Sequence, residues 1–245
     1  MATFGDVQEQ VVSLWSGFVD VPEDILRNVA KYVNLAQQHA QDHHYFRCME
    51  LLLSANTTPG AILLVAKPTS QGRWREWRDR PYLLRNDGYY EHLDWLPAEF
   101  DTRIYYSQAA ADTGPPRYLY ETATDIQIFP LPDANSDYGD GNYRVRVPYF
   151  GYLADLSTIT DVNWFTTNAE QYLIFAAAGF GFERMGRHDL AALWGLNLLP
   201  QQAPQGKADR ELRRLIRVDK LSRLPNTISL IPRADKWRGA RTGRY

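Results

Sequence analysis

Cysteine is nearly absent from this chain of 245 residues, because Cys48 is the only one. An intramolecular disulfide is therefore excluded, and the fold makes no use of an oxidising compartment. No run of about 18 uninterrupted apolar residues occurs, which argues against a membrane-spanning helix. The N-terminal residues lack a positively charged stretch followed by an apolar core, so we expect no signal peptide.

The sequence also lacks the motifs that carry catalysis and cofactor binding. It contains no phosphate-binding loop and no glycine-flanked nucleophilic serine. Gly179-Phe180-Gly181 does not fit the dinucleotide fingerprint, because it lies inside a helical pattern. Carboxylates such as Asp94 and Glu99 fit no acid–base spacing. We therefore predict that the protein is not an enzyme, has no catalytic residues and uses no cofactor.

Two stretches resemble fragments of metal sites. His39 and His43 lie one helical turn apart, a spacing that zinc sites use, but no later His or Cys cluster supplies the remaining ligands. Residues 133–138 begin like a calcium loop. Tyr138 stands where that loop needs glycine, and Arg144 stands where it needs a bidentate glutamate. The sequence therefore predicts no metal site, and a polar helix end and a hairpin loop are the better interpretations.

Charge is divided unevenly along the chain, whose net charge is −2. Residues 201–245 contain 12 Lys and Arg against 4 Asp and Glu, whereas residues 1–200 contain 15 basic and 25 acidic residues. An acidic body with a basic tail indicates that the tail docks on a neighbouring subunit, another protein or nucleic acid. The alternative is a solvated, disordered tail.

Helical periodicity marks both halves of the chain. Apolar residues recur every three or four positions over residues 4–17, which predicts a first helix. A second predicted helix begins at Pro22 and runs to about Leu53, with a bend near His43 and His44. Residues 160–202 predict a helical hairpin that breaks at Gly186.

The stretch Ala176-Ala177-Ala178-Gly179 within this hairpin consists of small residues, so another backbone can approach it closely. The simpler interpretation is an ordinary core helix. The functional interpretation is a face that also packs against identical copies in a ring. After the hairpin, residues 207–221 predict a basic amphipathic helix, with apolar residues on one face and arginines on the other.

Short strands are predicted between Gly60 and Ser157, separated by turns rich in glycine and proline. They cover residues 62–65, 82–84, 118–120, 126–129 and 143–147. The predicted fold class is α+β, with a helical bundle formed by residues 1–58 and 158–222. An antiparallel β-rich insertion occupies residues 59–157, and an extended basic tail occupies residues 223–245.

Aromatic residues are abundant, with 7 Trp and 15 Tyr. Such residues favour burial or interfaces. One cluster leaves open a carbohydrate-binding role, and it comprises Trp74, Trp77, Tyr89, Tyr90 and Trp95. The sequence alone assigns no role to the Arg- and Trp-rich residues 73–80.

Several short segments occur in a characteristic order. They are Ile25-Leu26 to Ala36, Leu96-Pro97-Ala98-Glu99-Phe100, Gly114-Pro115-Pro116-Arg117-Tyr118, Ile126 to Pro132, Val147-Pro148-Tyr149-Phe150, and Asn163-Trp164-Phe165 leading into Glu170 to Ala178. In this order, over roughly residues 10 to 220, the chain resembles the head-to-tail adaptor (connector) proteins of tailed bacteriophages. Residues 73–80 and the tail beyond Leu221 fall outside the resemblance.

The resemblance implies a structural virion protein with a helical bundle and a β-rich insertion. It implies a homo-oligomeric ring of about twelve copies at the head–tail junction, assembled in the host cytoplasm. The ring would bind the portal on one side and a nozzle or tail-tube protein on the other, without contact with a membrane. DNA would pass through its channel during genome ejection without specific binding, since an acidic wall repels phosphate.

The tail combines apolar and basic residues, which favours docking in a groove on a partner over mere solubilisation. We predict that the portal is this partner. The candidate docking residues are Ile228, Leu230, Ile231, Arg233, Lys236, Trp237, Arg238, Arg241, Arg244 and Tyr245. The main alternative is a DNA-binding protein that acts through the basic C-terminal helix and tail.

Overall fold

The computed structural model describes residues 1–69, 72–85, 88–97, 113–134, 142–195 and 206–223. Over these ranges the protein is a mixed α+β structure with seven α-helices and nine β-strands. The helices are α1 (Phe4–Ser16), α2 (Glu23–Arg27), α3 (Val29–His43), α4 (Trp164–Asn168), α5 (Glu170–Arg184), α6 (His188–Trp194) and α7 (Lys207–Ser222).

The strands form two sheets. They are β1 (Glu50–Asn56), β2 (Leu63–Ala66), β3 (Trp74–Trp77), β4 (Tyr82–Leu84), β5 (Tyr90–His92), β6 (Asp94–Trp95), β7 (Tyr118–Glu121), β8 (Asp125–Phe129) and β9 (Arg144–Gly151). The first sheet has the order β1-β9-β4-β5, and β3 also pairs with β9. The second sheet has the order β2-β8-β7-β6.

Helix α5 lies at the centre of the helical core and packs against α1, α3, α6 and α7. It is buried on nearly every side, as expected of a helix that is apolar all round. Helix α1 begins at a capping box formed by Thr3 and Asp6, and α4 begins at Asn163, which caps two backbone N–H groups. These side chains occupy donors that a helix N-terminus leaves unpaired.

The small residues of α5 pack inside the subunit. Ala176, Ala177 and Ala178 are completely buried, and Trp15 Nε1 donates to the Ala178 carbonyl at 3.0 Å. A Cβ on Gly179 would lie 2.2 Å from the Cα of Gly195. The simpler interpretation of an ordinary core helix is therefore confirmed, and the alternative of a face that packs against identical copies is wrong, because other parts of the same chain already cover this face.

The prediction of one helix from Pro22 to about Leu53 is also wrong. Asn28 separates α2 from α3, and α3 ends at His43. Residues 50–56 form β1, which pairs along its whole length with β9. A run of leucines fits a buried helix and a strand equally well, and pairing with the distant β9 decides between them here.

The other predicted elements are present within the described residues. The predicted hairpin corresponds to α4, α5 and α6, with a break at Gly186, whose φ of +73° suits glycine. Residues 196–202 of that prediction lie outside the described residues. The basic helix is α7, and all five predicted strands occur, as β2, β4, β7, β8 and β9.

The two sheets share a second apolar core. Leu83, Val145 and Val147 face inward from the first sheet, and Leu119 and Ile128 from the second, all at most 1% exposed. Buried and less buried residues alternate along β9, as a strand with one packed face requires.

Strands β6 and β7 are parallel, whereas the other pairs of named strands are antiparallel. The predicted antiparallel sheets are therefore present, and this short parallel pair is the exception. The physical reason is the length of residues 96–117, which connect the two strands. A connection of about a dozen residues or more lets the chain return in the same direction, as a tight hairpin cannot.

Candidate interaction surfaces

Arg75, on β3, caps the C-terminal end of α3. Its guanidinium donates to the carbonyl oxygens of Gln41 and Asp42 and lies 4.1 Å from the ring centroid of Tyr45. The last carbonyls of a helix have no partner within it, so a cation at this position is stabilising. Arg75 therefore connects the first sheet to the helical core, a role that the sequence of residues 73–80 does not reveal.

Asp219 joins the end of α7 to the segment after α3. Its side chain is 3% exposed and lies 2.9 Å from His44 Nε2, and it accepts hydrogen bonds from the Arg47 backbone N–H at 2.8 Å and from Arg223 Nε at 2.9 Å. Burial raises the pKa of Asp219, but the hydrogen bonds from Arg47, His44 and Arg223 outweigh burial and hold the pKa below its ordinary value. The carboxylate is therefore charged and multiply bonded at neutral pH.

Glu50, the first residue of β1, extends this network. Its Oε1 lies 3.1 Å from Arg223 Nη1, and its Oε2 lies 3.1 Å from Arg78 Nη2. One carboxylate thus connects the end of α7, the segment after β3 and the start of β1. We call these four residues, Glu50, Arg78, Asp219 and Arg223, the junction network. The predicted tail begins at this point, beside the first sheet.

The solvent-facing side of α7 carries the basic residues that the sequence predicts. Leu212 and Leu215 face the helical core, whereas Val218 and Leu221 are more than half exposed. A shallow groove of about 400 Å³ runs along the outer face and is lined by Arg213, Ile216, Arg217, Lys220 and Leu221. This face therefore combines positive charge with exposed apolar surface.

The sequence of nearly the whole chain matches a known protein family. The model of the family described as SU10 adaptor protein matches residues 2–229, which include every helix and strand described above. The chain belongs to the SU10 adaptor protein family. No individual curated protein matches it.

Membership in this family confirms the resemblance to the head-to-tail adaptors of phages. The protein is therefore a phage structural adaptor and a component of the virion. An adaptor of this kind interacts with the portal and the tail. Within the described residues, no helix has the length and apolar character needed to cross a membrane.

The tail residues predicted to dock on the portal lie outside the described residues. They are Ile228, Leu230, Ile231, Arg233, Lys236, Trp237, Arg238, Arg241, Arg244 and Tyr245. Their role in this adaptor stays a prediction. The structure does describe the helix that precedes them and the junction network that holds its end.

The tryptophans of the adaptor's aromatic cluster pack against one another. Trp77 stacks on Trp95 with ring centroids 4.9 Å apart, and Trp74 lies 5.3 Å from Trp77. Trp77 Nε1 also donates to Glu121 on β7 at 2.7 Å, which connects the two sheets. Trp74, Trp77 and Trp95 are only partly exposed. This arrangement supports a structural role for the tryptophans rather than a flat sugar-binding platform.

The two histidines with zinc-like spacing have other partners. His39 and His43 stack with ring centroids 4.0 Å apart, and His39 Nδ1 lies 3.1 Å from the hydroxyl of Tyr172. Burial lowers the pKa of His39 to about 4, with a further contribution from His43. Among the described residues, no three His, Cys, Asp or Glu side chains come together as a metal-binding group.

Only the first part of the segment that resembles a calcium loop lies within the described residues. Asp133 accepts a hydrogen bond from the hydroxyl of Tyr143, so it already has a partner inside the protein. Asn135, Asp137 and Tyr138 lie outside the described residues. Asp133 therefore serves the β-section, anchoring the buried ring of Tyr143.

Proposed function

We propose that this adaptor forms a closed ring of about twelve copies between the portal and the tail, and that the ring extends the DNA channel. The family match over residues 2–229 is the observation that carries the proposal. A structural role of this kind requires no catalytic centre, and the virion is where the ring would act.

The charge distribution supports a channel through which DNA slides. Residues 1–200 carry 15 basic and 25 acidic residues. A net-negative wall repels the phosphate backbone and therefore leaves the genome free to move. The ring accordingly conducts DNA and does not bind it specifically.

In the proposed organisation the helices within residues 1–58 and 158–222 form a helical bundle, and residues 223–245 form the portal-binding tail. Residues 59–157 form the β-rich insertion, to which strand β1 (Glu50–Asn56) also belongs because it pairs with β9. The junction network supports the assignment of the tail, because it fixes the point from which the tail starts. A fixed starting point reduces the entropy lost when a tail docks.

Assembly is proposed to depend on the portal. The isolated chain is then a monomer or a weak oligomer, and the portal ring supplies the template on which the copies close. Sedimentation of the purified protein, alone and with portal, tests this dependence. Stable rings without portal contradict the dependence, and no rings with portal contradict the function itself.

A DNA-binding role is the second candidate, because the exposed face of α7 is basic. Arg210, Arg213, Arg214, Arg217 and Lys220 are all exposed on this helix. That role predicts DNA affinity that falls steeply with salt, since each phosphate contact releases a counterion. The adaptor role predicts little affinity for the whole protein at any salt concentration, and a filter-binding titration separates the two.

A further inference from the structure

A shallow groove crosses the helical core where the end of α1 meets α5 and α6. It has a volume of about 460 Å³, and Leu14, Phe18, Phe175, Trp194 and Lys207 contribute to its walls. Phe18 lies 5.8 Å from Trp194 and is 49% exposed, although its ring also contacts Phe182. We call this feature the α1–α5 groove.

Lys207 gives the α1–α5 groove a positive charge beside its aromatic wall. Lys207 Nζ lies 3.3 Å from the Trp194 ring centroid, and no described carboxylate pairs with it. The groove therefore suits an occupant that is apolar and also carries negative charge.

The loop before α4 has these properties. Ile159 and Val162 are 69% and 47% exposed, although both are β-branched apolar residues. Residues 158–162 contain one aspartate, Asp161, and no Lys, Arg or His, and Asp155 lies three residues before this loop. The loop is also rigid, because Asp161 accepts hydrogen bonds from the Ser157 and Thr158 backbone N–H groups.

The loop contacts the start of α1, whereas the groove lies along its second half, from Gln10 to Phe18. The backbone N–H groups of Phe4 and Gly5, at the start of α1, donate to the carbonyl oxygens of Asp161 and Ile159, both at 2.9 Å. Phe18 lies just beyond the other end of this helix. The 13 residues of α1 span about 20 Å. One subunit therefore cannot place its own loop in its own groove.

We propose that the Thr158–Val162 loop of one copy inserts into the α1–α5 groove of the next copy in the ring. The inference rests on the proposed function, because it identifies the contact that closes the ring. Two different patches of one chain that fit each other form a head-to-tail contact, and repetition of such a contact closes a ring. Ile159 supplies the apolar anchor, and the acidic loop faces Lys207.

The first test compares two substitutions at exposed apolar residues. I159D places a charge in the groove, so it should reduce the amount of ring assembled on the portal by about tenfold or more. L63D is the matched control, because Leu63 is 54% exposed on β2, in the second sheet. It should assemble within about twofold of the unmodified chain. Equal assembly of I159D and the unmodified chain overturns the proposal.

The second test is a cross-link that does not depend on loss of assembly. A chain with Cys48→Ser, Leu14→Cys and Ile159→Cys should form a ladder of disulfide-linked oligomers when oxidised on the portal. Either new cysteine alone should give at most dimers. Rings that are visible by electron microscopy without a ladder overturn the interface and leave the proposed function standing.

Two further outcomes distinguish the remaining possibilities. If the unmodified chain forms no ring on the portal, both the proposed function and this interface are wrong. If I159D assembles normally and F18D forms rings but no longer stays on the portal, the groove binds the portal and the contact between copies is wrong.

Discussion

Arg223 and Glu50 lie 3.1 Å apart, which connects the end of α7 to the first residue of β1. Arg223 also contacts the buried carboxylate of Asp219. The end of α7 is therefore held to the first sheet by charged hydrogen bonds that are partly shielded from water. Such bonds are stronger than exposed ion pairs.

A truncation after Arg223 tests the role of the tail. It removes residues 224–245 and keeps the whole junction network, so the thermal midpoint of unfolding should stay within a few degrees. Binding to the portal, measured by co-sedimentation, should be lost. A truncated chain that binds the portal as well as the full chain contradicts the assignment of the docking residues.

A truncation one residue shorter, after Ser222, is the informative comparison. It also removes Arg223 and leaves the Asp219 and Glu50 carboxylates without one of their partners. We expect a lower midpoint than for truncation after Arg223, because a buried charge that loses a partner is costly. Equal midpoints would show that Arg223 contributes nothing to stability.

Asp219→Asn should destabilise the protein by about 3 kcal/mol, because it removes the charge that three groups surround in a buried site. The pKa of Asp219 is lowered in the folded state. Its contribution is therefore complete above the unfolded pKa and is lost as the pH falls through the folded pKa. The free energy of unfolding, measured with urea from pH 3 to pH 7, should fall less steeply towards low pH in the variant than in the unmodified protein. Asp20→Asn, at an exposed site, is the control.

Gly179→Ala should destabilise the protein strongly, although alanine is the better helix former by about 1 kcal/mol. The new methyl group would meet the Gly195 backbone at 2.2 Å, where no flexible side chain can move away. Gly17→Ala is the control, because its nearest neighbours lie 3.5 Å or more away. Chemical denaturation gives the free energy of unfolding of each variant for comparison with the unmodified protein. A neutral Gly179→Ala result contradicts the close approach of α5 and Gly195.

His39 makes the stability of the folded protein depend on pH in a second way. Its pKa is lowered to about 4 in the folded state from an ordinary value near 6.5. Between these values the unfolded chain binds the proton more readily, so stability falls as the pH drops from about 6.5 to about 4. His39→Gln should remove this slope, and His188→Gln, at an exposed site, should keep it. Identical slopes in both variants would contradict the burial of His39.

The elements that local sequence determines were predictable. Helix α1 follows from its apolar stripe and ends one residue before the predicted Gly17. Strand β9 follows from alternation that begins at Tyr143. In both cases one face is buried, and the period of that face is present in the sequence itself.

The elements that distant contacts determine were not predictable. Helix α3 ends where Arg75 caps it, yet Arg75 lies more than thirty residues further along the chain. The sequence around Asp219 and the sequence around Glu50 do not indicate that both carboxylates bind Arg223. The same holds for the α1–α5 groove, whose walls come from four separate helices and the loop after α1.

Electron microscopy of the protein mixed with purified portal shows directly whether the adaptor forms a ring there. We expect a closed ring of adaptor copies seated on the portal, with a channel continuous with the portal's own. Particles that show bare portal beside single adaptor molecules, at concentrations where both are folded, would contradict it.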